Sequence, residues 1–430
     1  MQYVGDFHIH SKYSRATSKE TTIENLDKWA KIKGIQVLGT GDFTHPQWLK
    51  ELKKNLEPAE SGLFRLKSSA YAKASTNKQT RFILTVEISS IYSKNNRTRK
   101  IHNIIFAPNF EAVEKINAHL GWIGNLKSDG RPILGLDAKE LAKIVLNVSP
   151  DCLIVPAHAW TPWFSIFGSN SGFDSIEECF DEYSKYIYAI ETGLSSDPAM
   201  NWRWSALDNI TLISNSDAHS PSKLGREANV FEGEKIDYNL IIEAIKNGPD
   251  IHRDNGLKLI ETIEFFPEEG KYHFDGHRNC QICLSPEESK KYNNLCPVCG
   301  KPLTIGVMNR ISRLADRPVG AKPVRIIPFK NLIPLQEIIA DALKVGTGTK
   351  QVAEQYKEII RKIGSEFKVL LEAKREDILA VSLPEIAEGI MLVREGKVNI
   401  RPGYDGEFGK ISIFEKSGQQ KKISGQKTLF

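Results

Sequence analysis

What this 430-residue chain lacks bounds it first. No apolar run approaches 18 residues, so no segment reads as a membrane-spanning helix and no membrane partner is expected. The opening MQYVGDFHIH has neither a charged n-region nor an apolar h-region, so a secretory leader is not expected and a cytoplasmic setting is. Cysteine is scarce, at six residues, four of them in two tight pairs. Without an export signal those pairs do not read as disulfides. No internal repeat stands out. With 40% apolar and 26% charged residues, the composition is that of a soluble globular protein with room for two or three domains. Strong net charge is missing too, but the modest +5 conceals an asymmetry. Positions 301–430 hold 23 Lys and Arg against 15 Asp and Glu, a local net of +8 that leaves −3 for the rest. A basic rear behind an acidic front suits an enzyme acting on a polyanion, although surface lysines also simply keep proteins soluble.

Against these absences stands a wealth of metal-type side chains. The first predicted strand reads Asp6-Phe7-His8-Ile9-His10, and positions i and i+2 of a strand share a face, so His8 and His10 stand side by side. Asp217-Ala218-His219 repeats the spacing. Between them come Asp42 and His45 after IQVLGT, Glu87 after RFILTV, His102 before NIIFAP, His158 after LIVPA and Glu191 after YIYAI. One histidine at a strand end is more often a satisfied core residue; six of the ten in one pattern are not. His119, in a polar loop, is left aside. The pattern predicts a centre of two or three divalent ions (Zn, Mg or Mn). Such ions bind a phosphate oxygen, acidify a bridging water and stabilise the leaving oxygen.

The cysteine pairs are Cys280-Gln-Ile-Cys283 and Cys296-Pro-Val-Cys299, with twelve residues between them. This spacing predicts one structural zinc on the four thiolates. Cys152 and Cys179 read as ordinary buried thiols. Upstream, to about Lys246, β-rich runs alternate with helical stretches, the signature of an α/β barrel with its chemistry at strand C-termini. The expected divisions are a barrel at 1–250, a zinc module at 262–310, a mainly helical basic domain at 311–414 and a polar tail at 415–430.

Two stretches point to nucleic acid. Aromatic residues crowd positions 160–204, and the loop-like start of that stretch, with Trp160, Trp163, Phe167, Ser169, Asn170 and Ser171, predicts a slot for an everted base. The later run YSKYIYAI reads as core. Residues 333–364 predict two helices around Gly346, Gly348 and Lys350, which suits a helix-hairpin-helix approaching a phosphate. A plain C-cap followed by an N-cap gives the same letters.

Taken in order, His-x-His, Asp with a nearby His, Glu, His, His and Asp-x-His resembles the PHP (polymerase and histidinol phosphatase) superfamily over about residues 1–250. The resemblance implies an α/β fold built as a distorted (β/α)₇ PHP barrel with metal-dependent phosphoesterase chemistry. It implies that Glu87 bridges ions, since a carboxylate has two oxygens to share, and that His8, His10 and Asp217 complete the first ion's shell. His102 and His158 would join Glu87 at the third ion, and His219 would hold the second with Asp42 or His45. The catalytic set is then Asp217, Glu87, His8 and His10. The chain departs from the pattern at Gly41-Asp42-Phe43-Thr44-His45, where many members have Asp-His, and Glu191 fits an outer supporting role.

The stretches GTGDFTHPQW, PAHAWTPWFSIFGSNSGFDSIEECF, ETGLSSDPAMNWRWSALD and SNSDAHSPSKLGREAN, with ISRLADRP and PGYDGEFG near the rear, are similar to the endonuclease Q branch along nearly the whole chain. That likeness implies a DNA repair endonuclease cutting 5′ of deaminated bases (uracil, hypoxanthine, xanthine) and of abasic sites. A small-molecule phosphatase of the same superfamily would leave the cysteine module and the basic rear unexplained. A non-catalytic DNA-binding scaffold would leave the ligand set unexplained. Finally, Gln426-Lys427-Thr428-Leu429-Phe430 resembles the Gln-x-x-Leu-Phe peptide that binds the sliding clamp, with Glu415 to Gly425 as a leash. A clamp is therefore expected as a partner beside DNA.

Overall fold

The computed structural model describes residues 1–67, 79–249 and 256–414. The clamp-like peptide around Gln426, Leu429 and Phe430 lies outside the described residues. Seven strands surround the site: Gln2–Asp6, Val37–Gly39, Arg81–Lys94, Arg97–Ala107, Leu153–Pro156, Ala189–Glu191 and Thr211–Ile213. The first three pair in parallel, with Gly5 opposite Val37 and Val37 opposite Arg81. The last two also pair in parallel, with Leu212 opposite Ile190.

The middle of the ring departs from the uniform strand–helix repeat that the sequence suggested. Arg81–Lys94 and Arg97–Ala107 form one antiparallel hairpin, with Glu87 opposite Ile104 and Ser89 opposite His102, and Leu153–Pro156 adds antiparallel to the second arm. The cause is local: Asn95 and Asn96 have φ of 54° and 57°, a two-residue turn that leaves no chain for a crossover helix. Two thin backbone seams complete the circuit. Ala159 N–H donates to Glu191 O at 2.9 Å, and His10 N–H donates to Ala218 O at 3.0 Å.

Helices Ile23–Lys33, Pro46–Asn55, Phe110–Ile123, Ala138–Val148 and Tyr238–Asn247 pack around these strands. Ala138–Val148 shows why: Asp137 caps its first turn, and Ala138, Leu141, Ala142 and Val145 make one buried stripe. A second apolar layer, including Phe7, Ile83, Phe106 and Val155, lies beneath the strand ends that carry the site. Burial of each such side chain contributes about 1.5–3 kcal/mol relative to exposure.

Beyond the strands, Asp275–His277 pairs with Ile282–Leu284, and short helices Pro286–Lys291 and Val307–Leu314 flank the cysteines. The rear is helical, with Leu335–Leu343, Lys350–Ile363, Arg375–Leu379 and Pro384–Arg394 sharing Ile338, Val352, Ile359, Ile386 and Ile390 as core. It docks on the first helix of the chain through the Lys33 ammonium, 2.7 Å from the Glu366 carboxylate and almost fully buried with it. Glu366 also accepts from Leu335 N–H and the Tyr356 hydroxyl, so the buried pair has the further hydrogen bonds such pairs need. Gly346 and Gly348 face open space in the turn between two of these helices, and Lys350 is exposed. Among the described residues no helix is long and apolar enough to cross a membrane.

Candidate metal centre

Each of the seven strands delivers a polar side chain to one point. Two groups of donor atoms result: His8, His10 and Asp217, and Glu87, His102 and His158. Glu87 joins them through its two oxygens. Its Oε2 lies 3.5 Å from His8 Nε2 and 3.3 Å from His10 Nε2, while Asp217 Oδ1 lies 3.6 and 3.1 Å from the same two nitrogens. On the other side Oε1 lies 2.6 Å from His102 Nδ1 and 3.0 Å from His158 Nε2. An ion with four ligands at about 2.1 Å spaces neighbouring donors about 3.4 Å apart. The first group has that spacing, and three of its atoms, His8 Nε2, His10 Nε2 and Asp217 Oδ1, are buried without a hydrogen-bond partner. Buried polar atoms are rarely orphaned unless something absent completes them. The donor set therefore fits divalent cations.

The electrostatics agree. Burial resists ionisation of Glu87, yet His102, Arg131 and His8 outweigh it and hold the carboxyl well below its ordinary range. Asp217 is lowered in the same way, against burial, by His8 and His10. Burial pushes His102 down to about 4, which favours its neutral ring near pH 7.

Behind these donors stands an orienting layer. His8 Nδ1 lies 3.0 Å from Glu191 Oε1, and His10 Nδ1 lies 3.1 Å from Asp42 Oδ1. Ser11 N–H and the Ser11 and Ser14 hydroxyls donate to the other Asp42 oxygen. His102 Nε2 meets Ser89 Oγ at 3.1 Å, and His158 Nδ1 meets Ser165 Oγ at 3.2 Å. Asp42 (φ 49°), His158 (φ 30°) and Asp217 (φ 47°) all hold left-handed backbone, which costs about 1–3 kcal/mol each. Gly193, at φ +63°, is required here, since a Cβ on it would sit 2.5 Å from His158 Cβ.

Of the second-ion set expected from the motif order, Asp42, His45 and His219 fall in neither donor group. Asp42 is spent on His10, held there by Ser11 and Ser14. His45 belongs to neither donor group; as the N-cap of Pro46–Asn55 it turns away and stacks on Tyr13. His219 points Nδ1 at the carbonyl of Asp217 (2.9 Å) and packs its ring 4.5 Å from His10.

The centre opens into a cavity of about 410 Å³. Trp163 and Phe164 line it, with Trp163 38% exposed. The other aromatics expected there do not. Trp160 and Phe167 are core: Trp160 Nε1–H donates to Asn201 Oδ1 at 2.7 Å, and the two rings lie 4.9 Å apart. Ser171 is buried, with its hydroxyl tied to Phe164 N–H and Lys100 O, and Ser169 reaches Ile305 O. Asn170 is exposed and does not line the cavity. The rings at the start of this stretch pack inward because the loop folds over a helical neighbour, pinned by the buried guanidinium of Arg310. That group donates to Phe167 O and Phe173 O, each at 2.8 Å. Sequence reasoning missed Arg310, and it missed Arg131, whose Nη1 lies 3.0 Å from Glu87 Oε2 at the cavity wall. Neither sits at the end of an apolar run, the one signal that marked the other site residues.

The cysteine cluster also differs in one member. Cys280, Cys296 and Cys299 converge with His277, and Cys283 falls outside the group. Gln281, at φ 55°, turns the chain after Cys280 so that Cys283 enters the Ile282–Leu284 strand opposite Gly276. His277, ending the partner strand, brings Nδ1 within 3.5 Å of Cys299 Sγ instead.

A family described as PHP-associated matches residues 200–249, and one described as MJ0043 C-terminal domain matches 334–397. An uncharacterised protein of Methanocaldococcus jannaschii, MJ0043, is 36% identical over 263 residues, which are 60% of this chain but only 31% of that relative's length. The crystal structure of the lesion-specific endonuclease PfuEndoQ from Pyrococcus furiosus superposes with a TM-score of 0.83 at 34% identity, covering 98% of each chain. A structure of endonuclease Q in complex with a 27-mer duplex carrying an abasic lesion at the active site superposes at 0.82 with 33% identity, covering 98% of this chain and all of that one.

Proposed function

The chain belongs to the endonuclease Q family, and from that premise we propose that it is a metal-dependent, lesion-specific DNA endonuclease. It hydrolyses the phosphodiester 5′ of deaminated bases (uracil, hypoxanthine, xanthine) and of abasic sites. The observation that carries the reading is the pair of donor groups sharing Glu87, with three buried atoms left without partners. We read the strand circuit as a distorted seven-stranded barrel at 1–250, followed by a zinc module at 262–310, a basic DNA-binding region at 311–414 and a tail at 415–430.

His8, His10, Asp217 and Glu87 would hold one ion, and Glu87, His102 and His158 a second. Bound there, divalent ions supply polarisation of the phosphate and a water acidified for attack. The protein's own groups do the remaining work. Glu191 and Asp42 accept from the Nδ1–H of His8 and His10, which fixes the tautomer that turns each Nε2 lone pair inward. Arg131, at the cavity wall, can shift from Glu87 to a non-bridging phosphate oxygen. Trp163 and Phe164 offer ring faces for the everted base. His277, Cys280, Cys296 and Cys299 would hold one structural zinc. Gly346, Gly348 and Lys350 would meet backbone phosphate at a distance from the cut, and the 426–430 peptide would tether the enzyme to a sliding clamp.

The test is nicking of duplexes bearing one uracil, hypoxanthine or abasic site, with Mg²⁺, Mn²⁺ or Zn²⁺ added to chelator-treated protein. A cut 5′ of the lesion that requires metal is expected. Hydrolysis of a small phosphomonoester without any nicking would overturn the reading.

A further inference from the structure

The rear stretch PGYDGEFG, residues 402–409, takes no part in the metal centre, yet the fold brings it beside the cavity. It forms a tight hairpin. Tyr404 N–H donates to Glu407 O at 3.0 Å, Glu407 N–H returns to Tyr404 O at 2.8 Å, and Asp405-Gly406 makes the two-residue turn at φ of 45° and 88°. The hairpin is fastened to the cysteine module at several points. Gly403 N–H donates to Glu268 O at 2.8 Å and Gly406 N–H to Lys271 O at 3.0 Å. The Asp405 carboxylate accepts from Arg278 N–H and from the Thr304 hydroxyl, both at 2.6 Å. Gly409 lies so close to Glu268 O that no Cβ fits. From this fixed mount projects Phe408, 66% exposed, with Lys271 Nζ 4.4 Å from its ring centroid. A loop tied down by backbone and Asp405 bonds does not need an exposed phenyl ring for its own folding.

Position and charge name the partner. Lys271 stands between Gly270, which packs against Leu194 and Ser195, and Tyr272, whose ring lies 5.5 Å from that of Trp163. Leu194, Ser195 and Trp163 all line the cavity over the metal donors. Phe408 thus lies just outside the rim, near the ring offered to an everted base. Segments 271–278 and 401–410 expose Lys271, Arg278, Arg401 and Lys410 against one exposed carboxylate, Glu407, a surface suited to phosphate. We propose that Phe408 is a wedge: it enters the base stack of the duplex at the gap left by the everted base, while Lys271 meets a flanking phosphate. This rests on lesion-bearing duplex DNA being the substrate. A base leaves its stack against the loss of pairing and stacking, and an apolar side chain in the vacated space keeps it from returning. Phe408 acts on the stack and not on the scissile phosphate, so its share of the rate depends on whether the stack is closed.

The experiment uses the full chain and two uracil-bearing duplexes of one sequence, one paired throughout except at the uracil and one with the uracil inside a short mismatch bubble. Phe408→Ala should melt as wild type does. It should lose about tenfold in kcat/KM on the paired duplex and less than about twofold on the bubble, where the stack is already open. Phe408→Leu, which keeps an apolar wedge, should regain most of the rate. A second readout needs no cleavage. With chelator present, 2-aminopurine beside the uracil should brighten when saturating wild type opens the stack and stay dim with saturating Phe408→Ala. No loss on the paired duplex, equal loss on both duplexes, or the same brightening with both proteins overturns the proposal. So does a dimer that Phe408→Ala splits into monomers, since the ring would then serve a second copy of this chain. If wild type nicks no lesion yet wild type alone opens the stack, the enzymatic reading fails and the wedge stands.

Discussion

In the barrel, His8 and His10 are 2% and 0% exposed, and each ring has a carboxylate fixed behind it. In the cysteine module, Cys299 is exposed, Cys280 and Cys283 are half-buried, and Tyr292, Leu295 and Val298 project into solvent. The strand-end donors are carried by seven strands over an apolar layer. The module has three-residue strands and a six-residue helix with little core of its own. An ion in the barrel would serve chemistry, whereas an ion in the module would supply the folding free energy that small domains without a core need.

The sharpest way to break this comparison is Asp217→Asn. The variant should keep its Tm within a few degrees and lose several kcal/mol of transition-state stabilisation, on the order of 10³-fold in kcat. Nicking assays beside thermal melts would show it, and a variant that unfolds instead would mean the barrel too depends on its metal. Next in size is the module: Cys296→Ser should release one zinc by elemental analysis and open 262–310 to protease while the barrel stays resistant. His277→Ala should do the same and Cys283→Ala should not; the reverse result would restore the four-cysteine set. A smaller effect is expected at the orienting layer, where Glu191→Gln should weaken metal binding about 10–100-fold, read by titrating activity with Mn²⁺.

The smallest effect concerns a buried carboxylate outside both clusters. Glu264 accepts from the Thr192 and Thr262 hydroxyls at 2.9 and 2.6 Å, and burial raises its pKa above 4.5. A raised carboxyl favours the neutral form in the fold, so its contribution is complete below the unfolded value and is lost as pH rises through the folded one. Glu264→Gln should therefore match wild type at pH 5 and exceed it in Tm by about 2–4 °C at pH 9.

The same contrast explains what was legible. His8, His10, Glu87, His102, His158 and Asp217 could be read because strand ends and strand parity fix where a side chain points before any packing is known. Asp42 and His45 could not be separated, since which of two residues on one tight loop turns inward depends on Ser11, Ser14 and Tyr13, all distant in sequence. His219 entered the expected set through the order of the motifs, and its Nδ1 faces the Asp217 carbonyl. In the cysteine module the knuckle spacing was visible, but the left-handed residue Gln281 that redirects Cys283 carries no such mark. Trp160 and Phe167 were taken for pocket walls because composition shows an aromatic cluster and not which face of it is dry. The hairpin through Asn95-Asn96 hid inside two long β-rich runs, and this is why the middle of the strand ring was expected to be parallel.

The left-handed backbone at Asp42, His158 and Asp217 has a consequence for how such a protein changes over time. Each of the three holds a conformation that glycine adopts at little cost, and glycine at any of them removes a donor or its support. Relief of strain and loss of catalysis are thus the same step. A library selected only for survival at high temperature would drift first at these three positions, and its hardiest members would be folded and inert.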